Sequence, residues 1–168
     1  GNIDMDINFQ QPTKEIFESW KKEFLKIEVN NEFEIYLVGG FLEKINNKKD
    51  YTSDIDIIIT GEGSLEKIEK LIYEGTKIGL ETHQVFFDIF WFDKLPFYSN
   101  MKIGEEVEIN SYLLSNKWII NGVVKKEYKK AKRVSENLWK LESIFPSNKQ
   151  KKLIEGGFIY SEPLLINK

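Results

Sequence analysis

The chain has 168 residues, 41% of them apolar and 30% charged, with a formal net charge of −3, which describes one well-cored globular domain or one domain with a small appendage. With no cysteine and one histidine, His83, it excludes disulfide scaffolds, thiolate zinc sites, cysteine nucleophiles and multi-histidine metal sites, and leaves carboxylate oxygen, which suits magnesium, manganese or calcium, as the means of binding a metal. No stretch approaches the roughly 18 apolar residues of a membrane span and the N-terminus lacks the regions of a signal peptide, so a cytoplasmic setting with no membrane partner is expected.

Residues 13–27 place Ile16, Phe17, Trp20, Phe24 and Ile27 at spacings of three and four behind Pro12 and a Thr13 cap, which predicts an amphipathic helix. Residues 33–38 (FEIYLV) predict a strand ending in Gly39-Gly40, followed by a short helix over 41–47 and a polar loop. Residues 54–60 (DIDIIIT) predict a second strand. Ser64 caps a helix whose apolar face is Leu65, Ile68, Leu71 and Ile72 and whose stop is Gly75. Residues 85–92 (VFFDIFWF) predict a third strand with one acid in its middle, and the alternation of strands and helices predicts an α/β core.

Beyond Pro96 the pattern loosens. Residues 109–114 predict a strand or short helix, 118–124 a hairpin turning at Asn121-Gly122, 125–143 a helix, and 148–155 a short helix between a Ser147 cap and a Gly156-Gly157 stop. The expected organisation is a core over 1–96 and a C-terminal helical and hairpin extension over 97–168 packed on it. The extension is expected to contact the nucleotide or acceptor, or only to complete the core.

The chemistry is concentrated in YLVGGFLEKINNKKDYTSDIDIIIT, residues 36–60. Two glycines at the mouth of a helix lack the Cβ atoms that would keep a phosphate from the backbone, although most such pairs are only turns. Asp54 and Asp56, two apart on a strand, leave the same face about 6 to 7 Å apart along the chain. Neighbouring carboxylates repel unless cations neutralise them, and two divalent ions about 3.5 to 4 Å apart would do so and would serve in-line attack at phosphorus. Asp88 reaches the same ions if its strand lies beside the first; otherwise it faces water at a sheet edge. Asp4-Met-Asp6 repeats the Asp-x-Asp spacing in a polar tail with no glycine loop before it, and reads as solvated.

The ordered set Val38-Gly39-Gly40, a thirteen-residue gap, Asp54-Ile55-Asp56 and a later strand-borne acid resembles the polymerase-beta-type nucleotidyltransferase superfamily over residues 33–93. YLVGG is most similar to the head domain of CCA-adding tRNA nucleotidyltransferases and bacterial poly(A) polymerases, and Ser53-Asp54-Ile55-Asp56 also occurs in minimal and antibiotic nucleotidyltransferases. The resemblance implies a nucleotidyltransferase fold, a small mixed sheet with helices mainly on one face. It implies that Asp54, Asp56 and Asp88 are catalytic and hold two magnesium or manganese ions, and that Gly39, Gly40 and Ser53 lie at a nucleoside triphosphate. The implied reaction moves a nucleoside monophosphate to an acceptor hydroxyl and releases pyrophosphate. An RNA 3′ end is the expected acceptor, with a small-molecule (antibiotic-type) acceptor or a non-catalytic, antitoxin-like binding module as alternatives. The chain departs from CCA-adding heads where Glu43-Lys44 replaces an Arg-Asp pair.

Other residues carry two readings each. The lysine run ending at Arg133 is either a solvated helix face or a phosphate contact, with the Arg133 fork best suited to phosphate. His83 is either a proton shuttle or plain packing. The aromatics of 86–92 read as core, whereas Phe97 and Tyr98 lie in a loop more open to a base.

Overall fold

Thr13 Oγ1 accepts the Ile16 amide at 3.1 Å and starts α1 (Lys14–Phe24), which buries Phe17, Trp20 and Phe24. In the computed structural model residues 8–48, 50–114, 124–144 and 153–168 are described. A 3-10 turn leads to β1 (Glu34–Val38), α2 (Gly39–Ile45) and β2 (Asp54–Thr60); Ser64 Oγ then accepts the Lys67 amide to start α3 (Leu65–Lys77), and a π turn leads into β3 (Phe86–Phe92). β1 pairs antiparallel with β2, and β2 parallel with β3. Because strand side chains alternate, Ile55, Ile57, Ile59, Phe87 and Ile89 pack under α1 and α3, while Asp54, Asp56, Ile58, Asp88 and Phe90 project from the other face. Trp20 anchors the helix layer, stacked 4.3 Å from Phe87 and donating its indole N–H to the Gly75 carbonyl at 2.9 Å.

Gly75 does not stop α3. A Cβ there would stand 2.4 Å from Ile89 Cδ1 and 2.9 Å from Phe24 Cε1, so this glycine lets the helix lie against the sheet and α1.

The C-terminal helices expected over 125–143 and 148–155 are corrected by the structure. The chain continues as β4 (Glu106–Leu114), β5 (Val124–Ser135), β6 (Leu138–Ile144), β7 (Leu153–Ile159) and the two-residue β8 (Leu164–Leu165). Tyr128, Ala131, Val134 and Leu138 fall at helical spacing, but the residues that β5 buries are Val124, Lys129, Ala131 and Arg133. From Lys129 onward that is a period of two, with cations on the inner side where an apolar pattern cannot register them. Glu136 and Asn137 make the tight turn to β6. Gly156 and Gly157 pair with Glu142 and Leu141 inside β7 rather than ending a helix. The expected turn at Asn121-Gly122, residues 148–152 of the second expected helix and the Asp4-Met-Asp6 tail lie outside the described residues.

The strands form one mixed sheet in the order β7-β6-β5-β4-β3-β2-β1-β8. Laid flat, its two edges would stand seven strand intervals apart, roughly 34 Å. Yet the backbone passes from Ile159 in β7 to Leu164 in β8 in five steps, at most about 18 Å. The sheet therefore curls until β7 comes against α2, where Ser161 Oγ donates to the buried carboxylate of Glu43. Asn167 completes the closure: its side chain accepts from the Ile35 amide at 3.0 Å and donates to the Asn30 and Phe33 carbonyls. Inside the curl, Tyr36, Val38, Ile58, Phe92, Phe97, Ile109, Ala131 and Trp139 make a second core. The result is a mixed α/β fold with α1 and α3 on one sheet face, and a larger sheet than the sequence suggested. Among the described residues no helix is long and apolar enough to cross a membrane.

Candidate metal centre

Ile55, Ile57 and Ile59 of β2 bury one face of the strand and thereby fix Asp54 and Asp56 on the other, inside the curl. Thr52 Oγ1 donates to the Asp54 carbonyl at 2.9 Å and pins the entry to the strand. The parallel register sets Asp56 directly beside Asp88 of β3. One carboxylate oxygen from each of Asp54, Asp56 and Asp88 lies within 4.8 Å of the others, and all three residues are half-buried. The acids that the sequence singles out are thus brought together. Their donor set is oxygen alone, with no imidazole or thiolate, and could hold a hard divalent cation such as magnesium or manganese.

β1 ends opposite this cluster, where Val38 pairs with Asp56 and the chain turns into α2. Gly39 adopts φ +80°, and a Cβ on it would stand 2.4 Å from Asp56 Oδ2. Two constraints thus require glycine here: a left-handed backbone and a carboxylate packed on the Cα. Gly39→Ala is expected to destabilise the fold by about 2 kcal/mol, combining backbone strain with displacement of Asp56. It should also weaken Mn²⁺ binding, measurable by thermal unfolding with and without the ion. Gly40 follows half-buried in the first turn of α2, and Ser53 is exposed immediately before β2.

The structure places Arg133, the expected phosphate contact, among backbone carbonyls. It is buried, and its guanidinium donates to the carbonyls of Ser99, Met101, Ser135 and Glu136 while lying over the Trp139 ring, 5.4 Å from its centroid. It ties the loop after β3 to the β5–β6 turn. The Glu43-Lys44 pair is likewise structural, Glu43 accepting from Ser161 and Lys44 donating to the Pro12 carbonyl at 2.8 Å. Phe97 is fully buried and so is no open platform for a base; Tyr98 is half-buried and donates its hydroxyl to Tyr36 at 3.2 Å. On β3, Phe86 and Phe90 flank Asp88 on its own face.

His83 ends the π turn, which packs against α1, and Glu23 of that helix acts on it. Burial lowers its pKa, partly offset by Glu23, and its Nε2 has no hydrogen-bond partner among the described residues. The folded state therefore binds this proton less readily than the unfolded chain. Stability is present above the ordinary imidazole value of about 6.5 and falls as pH drops below it. Urea unfolding between pH 7.5 and pH 5 should show a loss that His83→Gln reduces.

Sequence reasoning missed the inward row of β5. Lys129 is buried, its ammonium donating to Glu127 at 3.3 Å and Ser143 at 2.9 Å and lying 5.3 Å from the Phe90 ring centroid. Lys125 pairs with the same Glu127 at 3.0 Å. Burial pushes the Glu127 carboxyl up, but the two ammonium groups outweigh it and hold its pKa below the usual range. Period-two alternation of Lys125, Glu127, Lys129 and Ala131 was the available signal, hidden by lysines on both faces. No family model, curated protein or solved structure matches the chain.

Proposed function

We propose that the chain is a metal-dependent nucleotidyltransferase of the polymerase-beta type, which moves a nucleoside monophosphate from a nucleoside triphosphate to an acceptor hydroxyl. The observation that carries this reading is the convergence of Asp54, Asp56 and Asp88 within 4.8 Å on one sheet face, with Asp56 packed against Gly39 at the start of α2. The order strand, Gly-Gly, helix, Asp-x-Asp strand, helix, acid-bearing strand further supports it.

Asp54, Asp56 and Asp88 would hold two magnesium or manganese ions. When bound, these supply positive charge that neutralises the phosphates and lowers the pKa of the acceptor hydroxyl. Asp88 accepts the hydrogen bond of that hydroxyl and orients it toward the α-phosphorus. Gly39 and Gly40, lacking side chains, leave backbone amides open to phosphate oxygens. As the acceptor oxygen bonds to the α-phosphorus its proton passes to Asp88, the bond from that phosphorus to the bridging oxygen breaks, and pyrophosphate leaves. The acceptor we favour is an RNA 3′ end, from the likeness of YLVGG to RNA-extending heads.

The test incubates the protein and its Asp54→Asn/Asp56→Asn variant with Mg²⁺, each α-labelled nucleoside triphosphate and either small RNA or a panel of polyhydroxylated small molecules. Label entering RNA only with the intact acids supports the reading. Label entering a small molecule instead moves the acceptor to that class, and nucleotide binding without any transfer makes the chain a binding module.

A further inference from the structure

We propose that Lys129, positioned by Glu127 and Ser143 on the inner wall of β5, binds the triphosphate tail of the nucleotide held at Asp54, Asp56 and Asp88. This rests on the nucleotidyltransferase reading and adds a residue that the resemblance does not supply. The inner wall of β5 carries two lysines around one carboxylate, a Lys125–Glu127–Lys129 row with a net positive charge. A structural ion pair needs only one lysine. The second, Lys125, is exposed at the start of the strand and leaves the row with one positive charge in excess.

The two walls meet across the interior of the curled sheet, where Lys129 lies over a ring of β3. β4 lies between β3 and β5, antiparallel to both, and Lys129 pairs with Ile109 in its middle. Lys129 reaches across to the ring of Phe90, which follows Asp88 by two residues on the same face, about 7 Å along the strand. An extended triphosphate is long enough to follow this face from the acids past Phe90, so one anion can meet the acids' metals at one end and the ammonium at the other. Glu127 and Ser143 restrain the ammonium beforehand, which reduces the ordering cost of binding.

A second observation marks this wall as polar beyond the ion pair. Ser111, opposite Glu127 in the β4–β5 register, is fully buried, and its hydroxyl has no hydrogen-bond partner among the described residues. Buried hydroxyls are normally satisfied by protein, ordered water or a ligand. A narrow polyanionic tail fits this interior better than an RNA backbone, for which the exposed Lys126 and Lys132 on the outer face of β5 are the accessible cations.

The test is calorimetric binding in Mn²⁺ of the tightest-binding nucleoside triphosphate, its monophosphate and inorganic tripolyphosphate. The parent is compared with Lys129→Met, Lys129→Met/Glu127→Gln and Asp54→Asn/Asp56→Asn. The double Lys129 variant leaves Glu127 uncharged and keeps the test open should Lys129→Met fail to fold. Loss of a charge-assisted contact should cut triphosphate and tripolyphosphate affinity about tenfold or more. Monophosphate and Mn²⁺ binding should stay at the parent level. Unchanged triphosphate affinity in the Lys129 variants, alongside its loss in the aspartate variant, overturns the Lys129 assignment and leaves the metal reading standing. Weakened binding of a short RNA with unchanged triphosphate affinity also overturns it. A parent that binds neither Mn²⁺ nor any triphosphate overturns the nucleotidyltransferase reading itself.

Discussion

Asp54→Asn/Asp56→Asn is expected to abolish nucleotidyl transfer, by at least about a thousandfold, and to erase the rise in unfolding temperature that Mn²⁺ gives the parent. Asn keeps the shape of the side chain and one carbonyl oxygen but removes the charge that binds a divalent ion. β2 itself is held by Ile55, Ile57 and Ile59, all fully buried on the opposite face, so the fold survives the change. An ion present at a hundred times its dissociation constant stabilises the parent by about 2.7 kcal/mol, a shift of roughly 5 to 10 °C for a domain of this size. In the variant that shift should vanish while the metal-free unfolding temperature stays within a few degrees of the parent. A metal-induced shift of parental size in the variant would show that the ion binds elsewhere.

Arg133→Met should lower the unfolding temperature by about 10 °C or more. Four backbone carbonyls, those of Ser99, Met101, Ser135 and Glu136, take their donors from this one guanidinium. Met101 is buried beside the Phe97–Trp139 core, and loss of the donor to its carbonyl, of the three partly buried bonds and of the stacking on Trp139 costs about 3 to 5 kcal/mol in total. Arg133→Lys should recover little, because an ammonium cannot present donors in the planar fork that reaches four acceptors. A loss of under 3 °C for Arg133→Met would contradict this role.

The sequence made the first half of the fold legible because each element there buries apolar residues at its own period. Thr13 and Ser64 capped helices as their side chains suggested, and DIDIIIT and VFFDIFWF became neighbouring strands that bring their acids together. The acids could be read because a charge on an apolar strand has few purely structural uses. The second half hid its pattern for a physical reason: the inner side of β5 is partly cationic. Lys129 and Arg133 are buried by ion pairing and hydrogen bonding rather than by hydrophobicity, so the visible apolar residues fell at a misleading helical spacing. The same blindness concealed both the structural role of Arg133 and the Lys125–Glu127–Lys129 row. Closure of the sheet was also illegible, since it depends on Ser161 meeting Glu43 and on Asn167 standing in for a strand beside β1.

The most direct measurement of the central claim is anomalous diffraction from crystals grown with Mn²⁺ and a non-hydrolysable nucleoside triphosphate analogue. The account predicts two manganese peaks among the carboxylates of Asp54, Asp56 and Asp88, with the phosphates between them and Gly39-Gly40. Nucleotide bound elsewhere, or manganese absent from this cluster while ordered nucleotide is present, would contradict it.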